Sequence, residues 1–386
     1  MGENFHIPGK VKNRLPILDN RQPLYYNKIK RGDFVRLLKT RAAGLKLALF
    51  SIMHLVVDGL CSYLIFTRLY SDSPIESVLV FFIYNILAFV TQSPFGMLID
   101  KYNKPKAFLG VSILTMILGY LLSGIWFIAV TMIGISNALF HVAGGKYVTD
   151  YSGNDIAHLG IFVSTGAIGL VLGQRYFSFE ALPYVFFITL ILCGLLVILL
   201  DDGEIKGYDE IYCEKANSTY ALLAVVGIVV IRSFVGRVAS PDFTMEGHIF
   251  LVVALATALG KALGGVFSKL FGVKTTTYAS MSVAALCLTI GAFSPVLFII
   301  GIFAFNFTMP ITLYYANVLL KGSEGFAFGT LAASLVPGYF IAMSLSYSLP
   351  MRILTVILCL VSMLVIVFVS KRVRNYAEGI NTNDCN

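Results

Sequence analysis

The chain has 386 residues, of which 57% are hydrophobic and 13% are charged, and its formal net charge is +8. A soluble domain cannot bury so large an apolar fraction, and apolar runs of membrane-spanning length recur along the chain. These runs are continuous rather than alternating, which excludes a transmembrane β-barrel. We therefore predict an all-α polytopic membrane protein. Because the basic residues interleave with the apolar runs, their charge indicates membrane topology, and we expect no nucleic-acid partner.

The N-terminal residues 1–42 are polar and strongly basic, and three prolines interrupt any long helix. We predict a cytoplasmic tail that fixes the orientation of the chain in the membrane. The alternative is that the short amphipathic stretch 34–39 lies on the bilayer surface. No short apolar core precedes a small-residue cleavage site, so we expect no cleavable signal peptide.

Twelve apolar segments follow the tail, and we predict that each is a transmembrane helix. They are residues 43–69, 77–99, 106–123, 126–150, 157–175, 181–200, 218–240, 247–268, 275–293, 296–320, 325–347 and 351–370. The longest polar gap, 201–217, is predicted to be a cytoplasmic linker between two six-helix bundles, 43–200 and 218–370. Basic residues at both ends and in several short loops fall on one side, which places both termini and the 371–386 tail in the cytoplasm.

The first segment carries His54 and Asp58 one helical turn apart, so the two side chains share a face near the middle of the membrane. Ionisable residues inside a membrane are costly and mark functional sites. Histidine titrates near neutral pH, so this pair could take up and release a proton. The alternative is a buried pair that only stabilises helix packing.

A short turn after the second segment combines Gly96, Asp100, Lys101 and Lys104 between two apolar runs. Gly96 lies one helical turn before Asp100 and allows a neighbouring helix to approach closely. The lysines indicate that this turn lies at the cytoplasmic surface.

Polar side chains in the fourth, seventh and tenth segments are further candidates for a central site. Asn137 and His141 share one face of the fourth segment, and Asn306 precedes Pro310, which is expected to kink the tenth. His141 could contact a substrate or a proton, or make only a structural hydrogen bond. Arg232 lies in the seventh segment at about the depth of Asp58, and a buried arginine needs an anion, either Asp58 or a negatively charged substrate.

The two halves of the chain also repeat. A shift of about 169 residues places Gly96 on Gly265 and Gly160 on Gly329, and it sets Asp100 opposite Lys269. Parallel six-helix repeats of this kind are a known plan for transporters. We therefore predict that the two bundles are pseudo-symmetric.

The turn at Gly96 resembles the loop between helices 2 and 3 of the major facilitator superfamily, Gly-x-x-x-Asp-(Arg/Lys)-x-Gly-(Arg/Lys)-(Arg/Lys). It differs at Asn103, where the family has glycine, and at Pro105, where the family has a base. Asparagine tolerates the left-handed backbone better than most residues, so we expect the turn to survive. The resemblance implies alternating access around a central site, and it gives Gly96, Asp100, Lys101 and Lys104 a gating role.

A weaker resemblance, to the fosmidomycin-resistance-like branch, involves His54-x-x-x-Asp58, Phe140-His141-Val142-Ala143-Gly144-Gly145, the glycines of the fifth segment and Asn306-Phe307-Thr308-Met309-Pro310. We expect a secondary transporter of a small organic solute, with an anion among the options, that is proton-coupled and favours export. The expected proton-coupling residues are His54 and Asp58, and the expected substrate-binding residues are Arg232, His141, Asn137 and Asn306.

Two alternatives remain open: an uncoupled facilitator or lipid flippase of the same fold, and a membrane sensor. The six cysteines are scattered without metal-ligand spacing, so we expect no metal site and no cofactor. No catalytic set and no Walker-type phosphate-binding sequence is present, so neither an enzyme nor an ATP-driven pump is predicted. We expect a monomer in the plasma membrane, with protons, the lipid bilayer and a small molecule as its partners.

Overall fold

A computed structural model describes residues 41–70, 73–176, 178–200, 219–240, 247–345 and 348–383. Nearly all of the predicted N-terminal tail 1–42, the stretch 34–39 within it and the predicted linker 201–217 lie outside these residues. The division of the chain at that linker therefore stays a prediction.

The described residues form twelve helical spans in the predicted order and no β-strand. They are α1 (Arg41–Phe66), α2 (Pro74–Tyr102), α3 (Pro105–Leu121), α4 (Trp126–Ser152), α5 (Ile156–Arg175), α6 (Leu182–Leu199), α7 (Thr219–Val238), α8 (Gly247–Phe271), α9 (Val273–Ile290), α10 (Pro295–Leu319), α11 (Glu324–Met343) and α12 (Leu349–Asn383). Ten of the twelve are long and apolar enough to cross a membrane, and α3 and α9 are shorter or more polar.

The last helix continues beyond its apolar segment. The apolar part of α12 reaches Val373, close to the predicted end at residue 370, and the helix itself continues to Asn383. Lysine and arginine are good helix formers, so the polar residues after 370 extend the helix although they are not apolar.

Three spans, α2, α10 and α11, are interrupted one turn before a proline, because proline lacks the N–H that would bond to the carbonyl four residues earlier. In α11 the interruption is at Ser334, before Pro337. In α2 the widened π turn Ile86–Val90 precedes Pro94. In α10 the helix breaks at Asn306 and Phe307, and the Asn306 carbonyl accepts a hydrogen bond from the N–H of Met309 (3.2 Å) instead of from Pro310. The predicted kink at Pro310 is confirmed.

The spans pack as two groups of six. In the first group α1 packs against α4, α5 and α6, and α3 packs against α4. In the second group α7 packs against α11 and α12, and α9 packs against α10 and α12. The groups meet where α2 crosses α11 and where α5 crosses α8. Since α2 corresponds to α8 and α5 to α11, these two crossings are the same contact made twice, as pseudo-symmetry requires.

Glycines make both crossings close. A Cβ atom on Gly96 would overlap the backbone of Gly325, and one on Gly329 would overlap the backbone of Gln92. At the other crossing Gly265 lies against the backbone of Ile156. There Gly160 lies against the backbone of Lys261. Because the obstructing atoms belong to the backbone, a larger residue cannot be accommodated by a side-chain rotation. The glycine pairs that the 169-residue shift aligns therefore occupy equivalent places.

Candidate functional site

The end of the molecule that carries Asp100, hereafter the Asp100 end, is held together across the two halves. Asp100 lies in the last turn of α2, and its carboxylate accepts hydrogen bonds from the N–H groups of Gly325 (2.9 Å) and Phe326 (2.8 Å). Both N–H groups belong to the first turn of α11, where no carbonyl of the helix is available to them and the helix dipole favours an anion. α2 itself ends at Asn103, whose backbone is left-handed (φ 50°), so the turn survives without the family's glycine.

A buried lysine strengthens this contact. Lys146 on α4 places its Nζ atom 3.5 Å from Asp100, 3.2 Å from Asp150 and 3.4 Å from Glu324. Glu324, at the start of α11, also accepts the N–H of Gly322 (2.7 Å). One cation thus neutralises acids from both halves, and charged pairs that are sheltered from water are weakened little by salt.

At the second crossing the helix end carries a lysine, whereas at the first crossing it carries Asp100. Lys269, at the end of α8, forms an ion pair with Asp155, which caps α5 by accepting the N–H of Ala157 (2.9 Å). His158 Nδ1 lies 3.3 Å from the same carboxylate. Burial opposes ionisation of Asp155, but His158 and Lys269 outweigh it and lower the pKa of this carboxyl below its ordinary value. The second repeat has Lys269 where the first repeat has Asp100, and the acid at this crossing is Asp155, which belongs to the first half.

Polar side chains between the two crossings complete the contact. Asn317 on α10 donates to Thr149 Oγ1 (3.2 Å) and to Asn154 Oδ1 (2.9 Å), and Asn154 donates to the carbonyl of Tyr314 (3.3 Å). The Asp100 end is closed by these groups. Lys101 and Lys104, which were also expected to act in gating, are exposed, and Lys101 lies over the ring of Tyr102.

A second cluster lies deeper, between α1 and α4. Its centre is Asp58, whose Oδ2 lies 3.4 Å from His54 Nε2 and whose Oδ1 lies 3.5 Å from His141 Nε2. Asn137 donates to Asp58 Oδ1 (3.0 Å). We call Asp58, His54 and His141 the acid–imidazole cluster. Sequence spacing alone joined His54 to Asp58, and the fold brings His141 to the same carboxylate.

Hydrogen bonds on the far side of each imidazole fix its orientation. His54 Nδ1 lies 2.8 Å from the carbonyl oxygen of Phe162, and His141 Nδ1 lies 2.9 Å from that of Asn137. A carbonyl can only accept, so each Nδ1 carries a proton. In the neutral imidazole the proton-free nitrogen is then Nε2, and both Nε2 atoms face Asp58. The three ligand atoms lie within 4.8 Å of one another, a spacing that could hold a metal ion.

The surroundings of the cluster are apolar and tight. The ring of Phe162 lies 4.9 Å from the His54 ring between centroids, and Phe140 lies 6.0 Å away. Gly166 on α5 faces Asp58 Oδ2 and His54 Nε2, and a Cβ atom at this position would overlap both. The absence of a side chain at Gly166 therefore lets α5 pack directly against Asp58 Oδ2 and His54 Nε2.

The facing half contributes two cations, of which Arg232 is buried and Lys261 is half-buried. Arg232 on α7 is 9% exposed, its Nε has no hydrogen-bond partner, and its Nη1 contacts the sulfur of Met309. Among the described residues no carboxylate forms an ion pair with Arg232. Of the two partners considered from the sequence, Asp58 and an anionic substrate, Asp58 is therefore not paired with Arg232 in this structure. Lys261 on α8 lies within electrostatic range of Arg232 and Asp58, and it also acts on His141.

The remaining predicted residue, Asn306, lies at the break in α10. Its side-chain amide donates to the carbonyl of Ile302 in its own helix (2.8 Å). The structure thus brings Asn137, His141, His54 and Asp58 together, while Asn306 makes its observed hydrogen bond away from them. Lys261, Lys146 and Gly166 were not selected from the sequence. For the acids Asp155 and Glu324 the repeat offered a signal, since a shift of 169 residues pairs them.

Comparisons with known proteins agree with this architecture. No protein-family model and no curated protein matches the sequence. Among solved structures, the major facilitator superfamily transporter FucP in the outward conformation covers 85% of this chain and 98% of its own, with a TM-score of 0.66 at 12% identity. FucP from E. coli, a fucose:proton symporter, was also matched in a second structure, with a TM-score of 0.62 at 13% identity. A bacterial homologue of the iron transporter ferroportin, in an outward-facing state, covers 86% of this chain and 98% of its own, with a TM-score of 0.53 at 11% identity.

These likenesses establish the fold. The chain is an all-α polytopic membrane protein with the major facilitator superfamily fold, built from two pseudo-symmetric bundles of six helices. At 11–13% identity the likeness carries the architecture and not the substrate of either relative.

Proposed function

We propose that this protein is a secondary transporter that moves a small organic anion across a membrane by alternating access, with proton coupling and export as the favoured direction. The observation that carries the proposal is the complementary charge of the two halves where they face each other, and we call this contact region the seam. An acid–imidazole cluster lies on one half, and two cations without an ion-pair partner among the described residues lie on the other. A chain that needed only a stable fold would gain by filling this seam with apolar side chains.

The contacts at the Asp100 end support alternating access. They consist of hydrogen bonds and ion pairs between the halves, arranged twice about the pseudo-symmetry of the fold. Such contacts exchange protein partners for water when they open, so the two states can differ by only a few kcal/mol. The structurally similar FucP and ferroportin homologue were both captured in outward states, which fits closure at this end if it faces the cytoplasm.

Arg232 and Lys261 support an anionic solute. A guanidinium with an unsatisfied Nε in a buried site would be stabilised by a carboxylate or a phosphate, which it can bind through two hydrogen bonds. Lys261 adds a second positive charge within range of the first. Two buried like charges destabilise each other unless an anion lies between them.

The acid–imidazole cluster supports proton coupling. Asp58 lies between two imidazoles and within range of Lys261, so its partners belong to both halves of the seam. When the halves rock apart the Lys261 charge withdraws, and the cluster then binds a proton more readily. The other groups that face it are Asn137, Cys61 and Tyr84.

The proposal is tested in two stages. Purified protein is first screened by thermal shift against organic acids at two pH values, and a substrate should stabilise the wild type but not Arg232→Gln. Flux of that acid is then measured in proteoliposomes with an imposed pH gradient. Asp58→Asn should abolish the response to the gradient and retain exchange, whereas Lys101→Gln, at an exposed position, should change neither.

Two results would count against the proposal. Gradient-driven flux that survives in Asp58→Asn would remove the proton-coupling assignment and favour an uncoupled facilitator or flippase. Stabilisation of Arg232→Gln equal to that of the wild type would remove the anion-binding assignment. We further propose a monomer in the plasma membrane with both termini in the cytoplasm, which size-exclusion chromatography and protease accessibility of the tails would test.

A further inference from the structure

The acid–imidazole cluster has the composition and spacing of a metal site. We propose that His54, Asp58 and His141 bind a divalent transition-metal ion through two Nε2 atoms and one carboxylate oxygen, with one coordination position left open. The proposed function assigns His54 and Asp58 to proton coupling, so a bound metal ion and a bound proton would compete for the same atoms. The binding of an organic anion by Arg232 and Lys261 does not depend on the metal ion.

The distances carry the geometry. Zinc-like ions bind imidazole nitrogen and carboxylate oxygen at about 2.0–2.2 Å, so two ligands at a tetrahedral angle lie about 3.3–3.6 Å apart. An octahedral site with bonds of about 2.1 Å would bring neighbouring ligands to about 3.0 Å. His54 Nε2 lies 3.4 Å from Asp58 Oδ2 and His141 Nε2 lies 3.5 Å from Asp58 Oδ1, so each imidazole faces a different oxygen of the carboxylate. One ligand atom from each residue can be chosen so that all three lie within 4.8 Å of one another. A charge-assisted hydrogen bond would be shorter, at about 2.7–2.9 Å.

The outer contacts have the form that metal-binding histidines require. Such histidines donate the other ring N–H to a backbone carbonyl or a carboxylate, which fixes the tautomer and the ring orientation. His54 and His141 bond through Nδ1 to the carbonyls of Phe162 and Asn137. Asn137 also donates to Asp58 Oδ1 and so orients the carboxylate. Each ligand is therefore oriented by a hydrogen bond to a group outside the cluster, and these bonds join α1, α4 and α5.

Without a cation the arrangement is unfavourable. Two nitrogen lone pairs and a carboxylate converge on one point, and like charges or lone pairs in a buried space repel. Gly166 allows α5 to approach Asp58 Oδ2 and His54 Nε2 closely, where any side chain would displace one of these two atoms. The nearby sulfur of Cys61 lies 3.7 Å from Asn137 Nδ2 and is not among the three converging ligands. Two imidazoles and one carboxylate suit zinc, cobalt or iron in the divalent state better than magnesium or calcium.

Two cations of the facing half lie near the cluster. Lys261 lies within electrostatic range of Asp58 and His141, and Arg232 is within range of Lys261. Their charge weakens the binding of a bare metal ion. Replacing Lys261 by methionine should therefore tighten metal binding, whereas replacing a ligand should weaken it, and a general effect of mutation on stability would not produce opposite signs.

The experiment uses the full-length protein in detergent, titrated with Co²⁺ at neutral pH and followed by visible absorption. Tetrahedral cobalt absorbs much more strongly in the visible than octahedral cobalt, so the wild type should show an intense band at one equivalent, and Zn²⁺ should displace it. His54→Gln, Asp58→Asn and His141→Gln should each lower the affinity by roughly 100-fold or more, since even outer-contact changes cost about 10–100-fold.

Matched controls separate this site from other histidines. His158→Gln and His248→Gln lie outside the cluster, and His6→Gln lies in the N-terminal tail, so all three should bind Co²⁺ like the wild type. Gly166→Ala keeps every ligand, but its Cβ would overlap Asp58 Oδ2 and His54 Nε2 and displace them, so it should lose the tetrahedral band, whereas Gly227→Ala, which has open space, should keep it.

The absence of a tetrahedral band in folded wild-type protein would overturn the inference without recourse to any variant. A band that persists in both His54→Gln and His141→Gln would also overturn it. Neither result bears on flux of an organic acid driven by a pH gradient, so failure here is distinguishable from failure of the proposed function.

Discussion

Replacing Asp100 by asparagine isolates the charge that holds the Asp100 end closed. The carboxylate accepts hydrogen bonds from Gly325 (2.9 Å) and Phe326 (2.8 Å), lies 3.5 Å from Lys146 and is mostly buried. Asparagine keeps one oxygen and the same size, but it loses the charge and one acceptor, and its amide N–H₂ group would face one of these two N–H groups.

The size of the effect follows from these contacts. A hydrogen bond to a charged group contributes about 1.5–3 kcal/mol and a neutral one about 1 kcal/mol. Losing one charged bond and weakening the other therefore costs the closed state about 3 kcal/mol. The open state, in which water replaces these contacts, is affected much less. The ratio of open to closed molecules should rise on the order of 100-fold.

The assay measures a distance between spin labels on the two halves at this end. Lys104 and Lys371 are both exposed and lie in opposite halves, so a cysteine at each can carry a label. Cys61, Cys193, Cys287 and Cys359 are buried, and Cys213 and Cys385 are replaced by serine. Asp100→Asn should shift the distance distribution towards longer values, and the exposed control Lys101→Gln should not. An unchanged distribution in folded Asp100→Asn would refute the argument that these hydrogen bonds keep the end closed.

Three further predictions concern the same contacts. Gly96→Leu should open the Asp100 end in the same label assay, because its side chain would overlap the Gly325 backbone, whereas Gly110→Leu has open space and should not. Lys146→Met should lower the melting temperature, since three carboxylates lose their shared cation at a cost of about 3–5 kcal/mol. A melting temperature equal to that of the wild type would show that this cation is not needed for stability. Asp155→Asn should cost about 2–4 kcal/mol at pH 7, because asparagine keeps the helix cap but removes the negative charge at the start of α5 and leaves Lys269 unpaired. Because the folded protein lowers the pKa of Asp155, the contribution of this carboxylate to stability is complete above about pH 4 and is lost as the pH falls through the lower folded pKa. The difference in melting temperature between the wild type and Asp155→Asn should therefore shrink in acid. A difference that grows in acid would contradict the direction of this pKa shift.

The number and order of the helices could be predicted from the sequence because hydropathy is a local property. A backbone in lipid must satisfy its own hydrogen bonds, so an apolar run of membrane length has few choices other than a helix. The doubled crossing was also predictable, since Gly96, Gly160, Gly265 and Gly329 recur at a fixed separation. The end of α12 was not, because Lys371 and Arg372 stop the apolar run but do not stop the helix.

The composition of the site depended on the tertiary structure. His54 and Asp58 were paired from their spacing on one helix, but His141 lies 83 positions beyond Asp58, and nothing local brings it to the same carboxylate. Lys146 and Glu324 are 178 positions apart and meet only where the halves touch. Helical spacing fixes which side chains share a face. It does not fix which face a helix turns towards its neighbour, because that is decided by the close packing of all twelve helices together.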